Sequence, residues 1–224
     1  MSNKKKPSPP RVKPQPASRI GRSERTRAEI LNSALDFIWS HPFRDLTVNS
    51  LMAPTSVSRS AFYQHFGDLH EVMEALLDML REEIFNGTGL WFTGVGDPIT
   101  LLNESLASLV DITYQRGPIL RATDDAAATD TQLEKVWIQF FKQFDDAVTA
   151  RIEADQEQGL IPQFDASPVA IALNRLNAYT IIQAFGHGPA RKPEPVCEAL
   201  ARVWISTLYG SEWVEKGSSD LLRT

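Results

Sequence analysis

Ser58, Arg59, Ser60 and Tyr63 put three hydroxyls and a guanidinium into six residues, with Thr47 upstream and His65 downstream. Groups of this kind break no bonds on their own. They offer hydrogen bonds and positive charge to acceptors such as phosphate oxygens and purine edges. Spacing decides which of them share a surface. Ala61, Phe62, His65 and Phe66 repeat at i, i+3 and i+4 and predict the inward side of a short helix, leaving Ser58, Arg59, Ser60, Tyr63 and Gln64 outside. Ser58 reads as its cap. Ahead of it, Leu46, Val48, Leu51 and Met52 line one side of another short helix that Thr47 can cap, and Pro54, which has no N–H to donate, predicts its end. Thr55 and Ser56 turn the chain, and Val57 plugs the junction. Two short helices across a tight turn suit insertion into a DNA major groove. The same spacing fits a helical hairpin within a larger bundle, and spacing alone leaves both readings open.

Other chemistry is hard to assemble. His41, His65, His70 and His187 are scattered, and none has a partner at metal-ligand spacing. Cys197, the one cysteine, sits near a helix start where a thiol pKa can fall, but no His or Asn motif accompanies it, so it reads as a bystander. Asp124-Asp125 resembles a carboxylate pair, yet neighbouring helical residues point about 100° apart, so a surface loop is expected. The glycine-rich run from Gly87 to Gly96 is followed by no Lys-Ser/Thr, which argues against a nucleotide-cradling loop. The expectation is no catalysis, no metal and no cofactor.

Charge divides the chain. Through Phe66 there are eleven Lys and Arg against four Asp and Glu, and beyond it twelve against twenty-four, so a basic first third precedes an acidic remainder. That asymmetry fits a protein presenting one end to a polyanion. A single cysteine, no apolar run near the ~18 residues of a spanning helix, and no signal-peptide core predict a cytoplasmic protein.

The elements that must position these groups are all helical. Residues 1–18 mix Lys4, Lys5, Lys6, Arg11 and Lys13 with five prolines and predict a disordered basic tail, either lying along DNA or merely solubilising. Ser23 reads as the cap of the first helix, whose buried stripe is Ile30, Ala34, Phe37 and Ile38; Arg19, Arg22, Arg25 and Arg27 load its start with charge suited to a phosphate backbone. Asp68 caps a fourth helix of about five turns, Leu69 to Ile84, which the glycine run then ends. Asp97-Pro98 starts a helix that Gly117-Pro118 breaks, with a short helix after it. An aromatic helix follows from about Asp130 to Gln158; Ser167-Pro168 caps the next, and Pro193 opens the last, with Val196, Leu200, Val203, Trp204, Thr207 and Leu208 inward. No strand alternation or repeat is present. The fold class is all-α, with about nine helices.

Leu46-Thr47-Val48, Val57-Ser58, Phe62-Tyr63 and His65-Phe66 resemble the DNA-binding part of the TetR family of transcriptional repressors. Three positions depart from the family pattern: Met52 replaces an alanine, Ser56 the turn glycine, and Leu69 a phosphate-touching lysine. A second stretch, with Arg121-Ala122, Trp137, Asn174, Asn177 and Val203 to Gly210 as landmarks, is similar to a mycobacterial subgroup of that family. The resemblance implies a helix-turn-helix domain over 19–67 and an effector-binding and dimerisation domain over 68–224. It implies a homodimer through the last two long helices on a palindromic double-stranded operator, with half-sites about 34–36 Å apart, or more if two dimers bind. Ser58, Arg59, Ser60 and Tyr63 would then meet the major groove, with Arg59 on a base edge, while Thr47, Tyr63, His65 and Arg25 lie near phosphates.

On the residues alone, an aromatic stripe of Trp137, Phe140, Phe141 and Phe144 reads as core. The resemblance implies that Trp137, Phe140, Phe141, Asn174, Asn177 and Trp204 line a pocket for a small, elongated hydrophobic effector, the asparagine amides orienting it. The other class weighed is a helical carrier or sensor with a degenerate DNA-binding end, suggested by Met52, Ser56 and Leu69.

Overall fold

Thr47 and Ser58 both cap the helices they were expected to cap. Thr47 Oγ1 accepts the Ser50 N–H at 3.0 Å while Ser50 Oγ accepts the Thr47 N–H at 3.0 Å, a reciprocal capping box. Ser58 Oγ accepts the Ala61 N–H at 3.2 Å. A computed structural model describes residues 21–93, 96–188 and 191–210, apart from the Arg22 side chain; the basic tail and Arg19 lie outside these. The described residues form eight α-helices: α1 (Arg22–Ile38), α2 (Val48–Met52), α3 (Arg59–His65), α4 (Leu69–Thr93), α5 (Pro98–Ala127), α6 (Thr131–Glu157), α7 (Ala166–Phe185) and α8 (Pro193–Leu208). A 3-10 turn, Phe43–Asp45, follows α1, and among the described residues there is no strand.

α1 to α3 form a small head whose apolar faces meet through Ile30, Ala34, Ile38, Leu51, Phe62 and Phe66, all buried. α4 leads out of it. Asp68 Oδ1 accepts the Glu71 N–H at 3.0 Å and Glu71 Oε2 accepts the Gly67 N–H at 2.7 Å, fixing where α4 begins. The core continues without interruption from the head along Val72, Met73, Leu76 and Leu80 into the body of α5 to α8.

Two helices run through the glycines expected to end them. α4 passes Gly87 and Gly89 to Thr93, about seven turns rather than five. A Cβ on Gly87 would stand 2.4 Å from Ser108 Oγ and 2.7 Å from Ile112 Cδ1, so this glycine serves close packing on α5, not a turn. α5 likewise continues through Gly117-Pro118. A Cβ on Gly117 would meet the Phe185 backbone at 2.7 Å, so here too glycine permits helix contact, and the buried run from Gly117 to Thr123 outweighs the one N–H that Pro118 withholds. The expected short extra helix is therefore part of α5, and Asp124 and Asp125 lie on its last turns, not in a loop.

Smaller corrections concern caps and faces. α1 starts after Gly21 with no side-chain cap, not at Ser23. α7 starts at Ala166, so Pro168 is its third residue, where a missing N–H leaves no intrahelical bond unmade. Val203 and Thr207 of α8 face outward. Asp97 and Asp130, where helices were expected to start, cap α5 and α6.

Candidate functional site

The outward edge of α3 carries Ser58, Arg59, Ser60, Tyr63 and Gln64, all exposed. Arg59 is held across it: Nη1 donates to Asn49 Oδ1 of α2 at 3.4 Å, Nη2 donates to the Tyr63 hydroxyl at 3.5 Å, and its Cζ lies 5.9 Å from the Tyr63 ring centre. These are long, solvent-facing bonds, readily exchanged for a stronger acceptor. Ser58 and Ser60 share a 3.0 Å hydroxyl contact. Thr47 is exposed, though its hydroxyl is engaged with Ser50, and Arg25 is exposed on α1. His65 is half-buried. With Ser23, Thr26, Glu29, Ser58 and Gln64 it lines a polar cleft of about 680 Å³ between α1 and α3. Asn49 escaped notice in the sequence because it lies on the preceding helix; only the turn geometry brings it to Arg59.

Each departure from the family pattern is accommodated. Ser56 donates its N–H to Glu29 Oε1 at 2.6 Å and sets its hydroxyl 3.0 and 3.2 Å from the two carboxylate oxygens, so α1 clamps the turn that a glycine would otherwise make. Met52 is buried in the head. Leu69 is half-buried against the core at the start of α4.

In the body, α4, α5, α6, α7 and α8 line a cavity of about 80 Å³. Phe140, Phe141, Phe144, Asn174, Asn177 and Trp204 line it. Trp137 does not. Its indole stacks on Phe140 at 5.4 Å and meets Phe141 at 4.6 Å from behind, and its N–H donates to Asp124 Oδ1 at 3.2 Å. The wall also includes Ile84, Thr88, Trp91 and Phe92 of α4 and Leu102, Leu106 and Thr113 of α5. The i, i+4 run Leu76, Leu80, Ile84, Thr88, continued by Trp91, carried that signal straight past the glycines.

Both asparagines have fixed orientations. Trp204 Nε1 donates to Asn177 Oδ1 at 2.8 Å, and an indole N–H can only donate, so Asn177 keeps its Nδ2 donor for the cavity side. Asn174 Nδ2 donates to Asp145 Oδ1 at 2.9 Å, and a carboxylate can only accept, so Asn174 keeps its Oδ1. Asp145 is itself gripped by Arg175 through bonds of 3.1 and 2.9 Å, and the Arg175 guanidinium lies 4.0 Å from the Phe141 ring centre. Beneath Trp91, Tyr209 Oη donates to Asp155 Oδ2 at 2.6 Å, and Arg151 Nη2 stands 2.9 Å from Asp155 Oδ1 as an ion pair lacking hydrogen-bond geometry. Burial, reinforced by Asp155, pushes the Tyr209 hydroxyl well above the ordinary tyrosine range.

Cys197 is half-buried, and burial, followed by the Glu198 charge, raises its thiol pKa; the helix start does not lower it. Among the described residues no three His, Cys, Asp or Glu side chains are grouped to hold a metal ion, and no helix is long and apolar enough to cross a membrane.

The family profile described as "Transcriptional regulator EthR, C-terminal domain" matches residues 102–210. The HTH-type transcriptional regulator EthR of Mycobacterium tuberculosis is 26% identical over 196 residues, covering 81% of this chain and 86% of its own. Its Mycolicibacterium smegmatis counterpart is 24% identical over 187 residues, covering 82% and 86%. The likeness therefore spans head and body together. The chain resembles the TetR-family transcriptional regulators of the EthR kind. The TetR fold is shared with a transcriptional regulator from Agrobacterium tumefaciens at 14% identity, with a TM-score of 0.65 over 84% of this chain and 99% of that one. The relatives and the structural neighbour are all named as transcriptional regulators.

Proposed function

We propose that this chain is a TetR-family, ligand-responsive repressor that binds a palindromic operator as a homodimer in the cytoplasm. The observation that carries the reading is the α3 edge: Ser58, Arg59, Ser60 and Tyr63 project from a helix that Ser58 caps, set on the Thr47-capped α2 by a carboxylate-clamped turn. A helix seated in a major groove needs its contacts on one rigid outward line, with phosphate-facing groups at its flanks. Arg59 is the base-edge residue, since its planar fork matches a guanine. Thr47, Tyr63, His65 and Arg25 are the backbone-positioning residues.

The effector is a mostly apolar small molecule entering the cavity between α4 and α8, with the Asn177 donor and the Asn174 acceptor orienting it. A cavity of about 80 Å³ is far below the ~300–1,000 Å³ that a drug-sized ligand occupies. Occupation therefore parts the helices around it, and α4, one of them, leads directly into the head. Ligand-driven separation of the two heads away from the operator spacing would weaken DNA binding by about 5–150-fold for a coupling of ~1–3 kcal/mol. Dimerisation uses α7 and α8, where Ile171, Leu176, Tyr179 and Val203 are exposed.

The test is a gel-shift titration of the purified protein on the DNA upstream of its own gene, against random duplex, across a salt series. The expected result is preferential binding with a steep salt dependence. Equal binding to all duplexes near physiological ionic strength overturns the reading.

A further inference from the structure

Arg121 sits on α5, buried, with a partner for each face of its guanidinium. Nη2 donates to the Ile38 carbonyl, in the last turn of α1, at 2.8 Å. Nε donates to the Gly186 carbonyl, at the cap of α7, at 2.8 Å. Nη1 donates to Asp125 Oδ2, one turn along α5, at 3.2 Å. Two helix C-termini, each with unpaired carbonyls and partial negative charge, thus converge on one cation. The approach is built in from both sides. Gly117, one turn before Arg121, lets Phe185 press against α5, and a Cβ on Gly186 would come within 3.0 Å of the Arg121 Cβ. Beyond Gly186 the chain passes so near α1 that a Cβ on Gly188 would touch the Trp39 ring at 3.6 Å. On its open side the joint is a cleft of about 620 Å³ lined by Trp39, His41, Phe43, Arg121, Asp125 and His187, so packing alone does not fill it.

The joined helices have different tasks. α1 belongs to the head, while α7 carries Asn174, Asn177 and Ile181 of the cavity wall and the exposed face with Tyr179. We propose that Arg121 is the positioning residue that sets the head against the body: it transmits the placement of α7 to α1 by a route separate from α4, and so couples cavity to reading edge. This rests on the proposed function for its consequence on DNA, though not for the tie itself. Lysine cannot replace it, because a single ammonium lacks the fork that spans two carbonyls on opposite sides.

The test measures the joint within one chain. Gln64 of α3 and Gln139 of α6 are exposed; changed to cysteine in a Cys197→Ser background, spin-labelled and diluted with unlabelled protein, they give a head-to-body distance distribution by pulsed electron paramagnetic resonance. The parent should give one narrow distance, and Arg121→Lys and Arg121→Met a broadened or displaced one. Asp125→Asn should stay narrow, because the two carbonyls hold the guanidinium. Where Arg121→Met loses cooperative melting, Arg121→Lys decides, since it keeps a buried cation with donors. Distributions of the arginine variants that superimpose on the parent overturn the proposal, as does an Asp125→Asn distribution as broad as theirs. On the DNA upstream of its own gene, Arg121→Lys should bind about tenfold or more weakly at equal salt, and equal binding counts against the coupling. Absence of any preference by the parent would strike the DNA-binding reading alone, because the distances judge Arg121 without DNA.

Discussion

Asp130 Oδ2 accepts a hydrogen bond from His70 Nε2 at 2.7 Å, joining the first turn of α4 to the cap of α6 across sixty residues of sequence. The carboxylate can only accept, so Nε2 carries the proton. The other oxygen, Oδ1, accepts the N–H groups of Gln132 and Leu133 at 3.0 and 3.1 Å. His70 first, and the Leu133 N–H second, hold the Asp130 carboxyl below the usual aspartate range.

A lowered folded-state pKa means that the unfolded chain takes up its proton first as pH falls. The stabilisation is complete above about pH 3.9, the unfolded value, and is lost as pH drops through the folded value. Asp130→Asn keeps an acceptor for the cap but removes the charge. Its deficit in urea midpoint should be present at pH 5 and shrink towards pH 3, amounting to less than about 1 kcal/mol because the group is a third exposed. A deficit that does not change over this range contradicts the assignment.

Arg59→Ala should abolish preferential binding to the upstream fragment, and Tyr63→Ala should weaken binding to specific and random duplexes alike. Removing the guanidinium should cost about 1–3 kcal/mol in specific binding, while removing a backbone contact weakens all sequences alike. Both side chains are exposed, so circular dichroism and melting should be unchanged within about 0.5 kcal/mol. Gel shifts on specific and random duplexes check this. Full binding by both variants would remove α3 from the interface.

Why one half of this was readable and the other was not comes down to locality. The caps at Thr47, Ser58, Asp68, Asp97 and Asp130 depend on residues within one turn, so the local sequence suffices. Gly87 and Gly117 look identical to turn glycines because what they serve, Ser108 and Phe185, lies on another helix. Trp137 failed for a related reason. It shares a stripe with Phe140 and Phe141, but helical rotation takes it past the cavity to Asp124, and only packing of α5 on α6 reveals which part of a wide apolar face meets the void. Phe92 and Trp91 were hidden by the same misreading that ended α4 early.

Breaking the Arg151–Asp155 pair should unmask how deeply it is buried. Asp155 is 1% exposed, with Tyr209 on one oxygen and Arg151 beside the other. Arg151→Met strands that carboxylate and should destabilise the fold by about 3–5 kcal/mol. Replacing both, as Arg151→Met with Asp155→Leu, should recover most of the loss, since an apolar pair needs no compensating charge. Urea denaturation of the single and double variants decides. Equal losses in both would place the energy in shape rather than charge.

Tyr179, 68% exposed on α7, has Leu176 one turn away on the same helix and Val203 on α8, also exposed. A twofold interface presents each residue twice, so a single Tyr179→Asp change brings two carboxylates into the buried patch and removes two aromatic anchors. The expected outcome is a monomer by sedimentation equilibrium at concentrations where the parent is a dimer, with helix content retained because the side chain has no role in the chain's own core. Operator affinity should fall with it, as each half-site must then be bound singly. If Tyr179→Asp sediments as the parent does, α7 is not the dimer face, and the exposed apolar residues there need another partner.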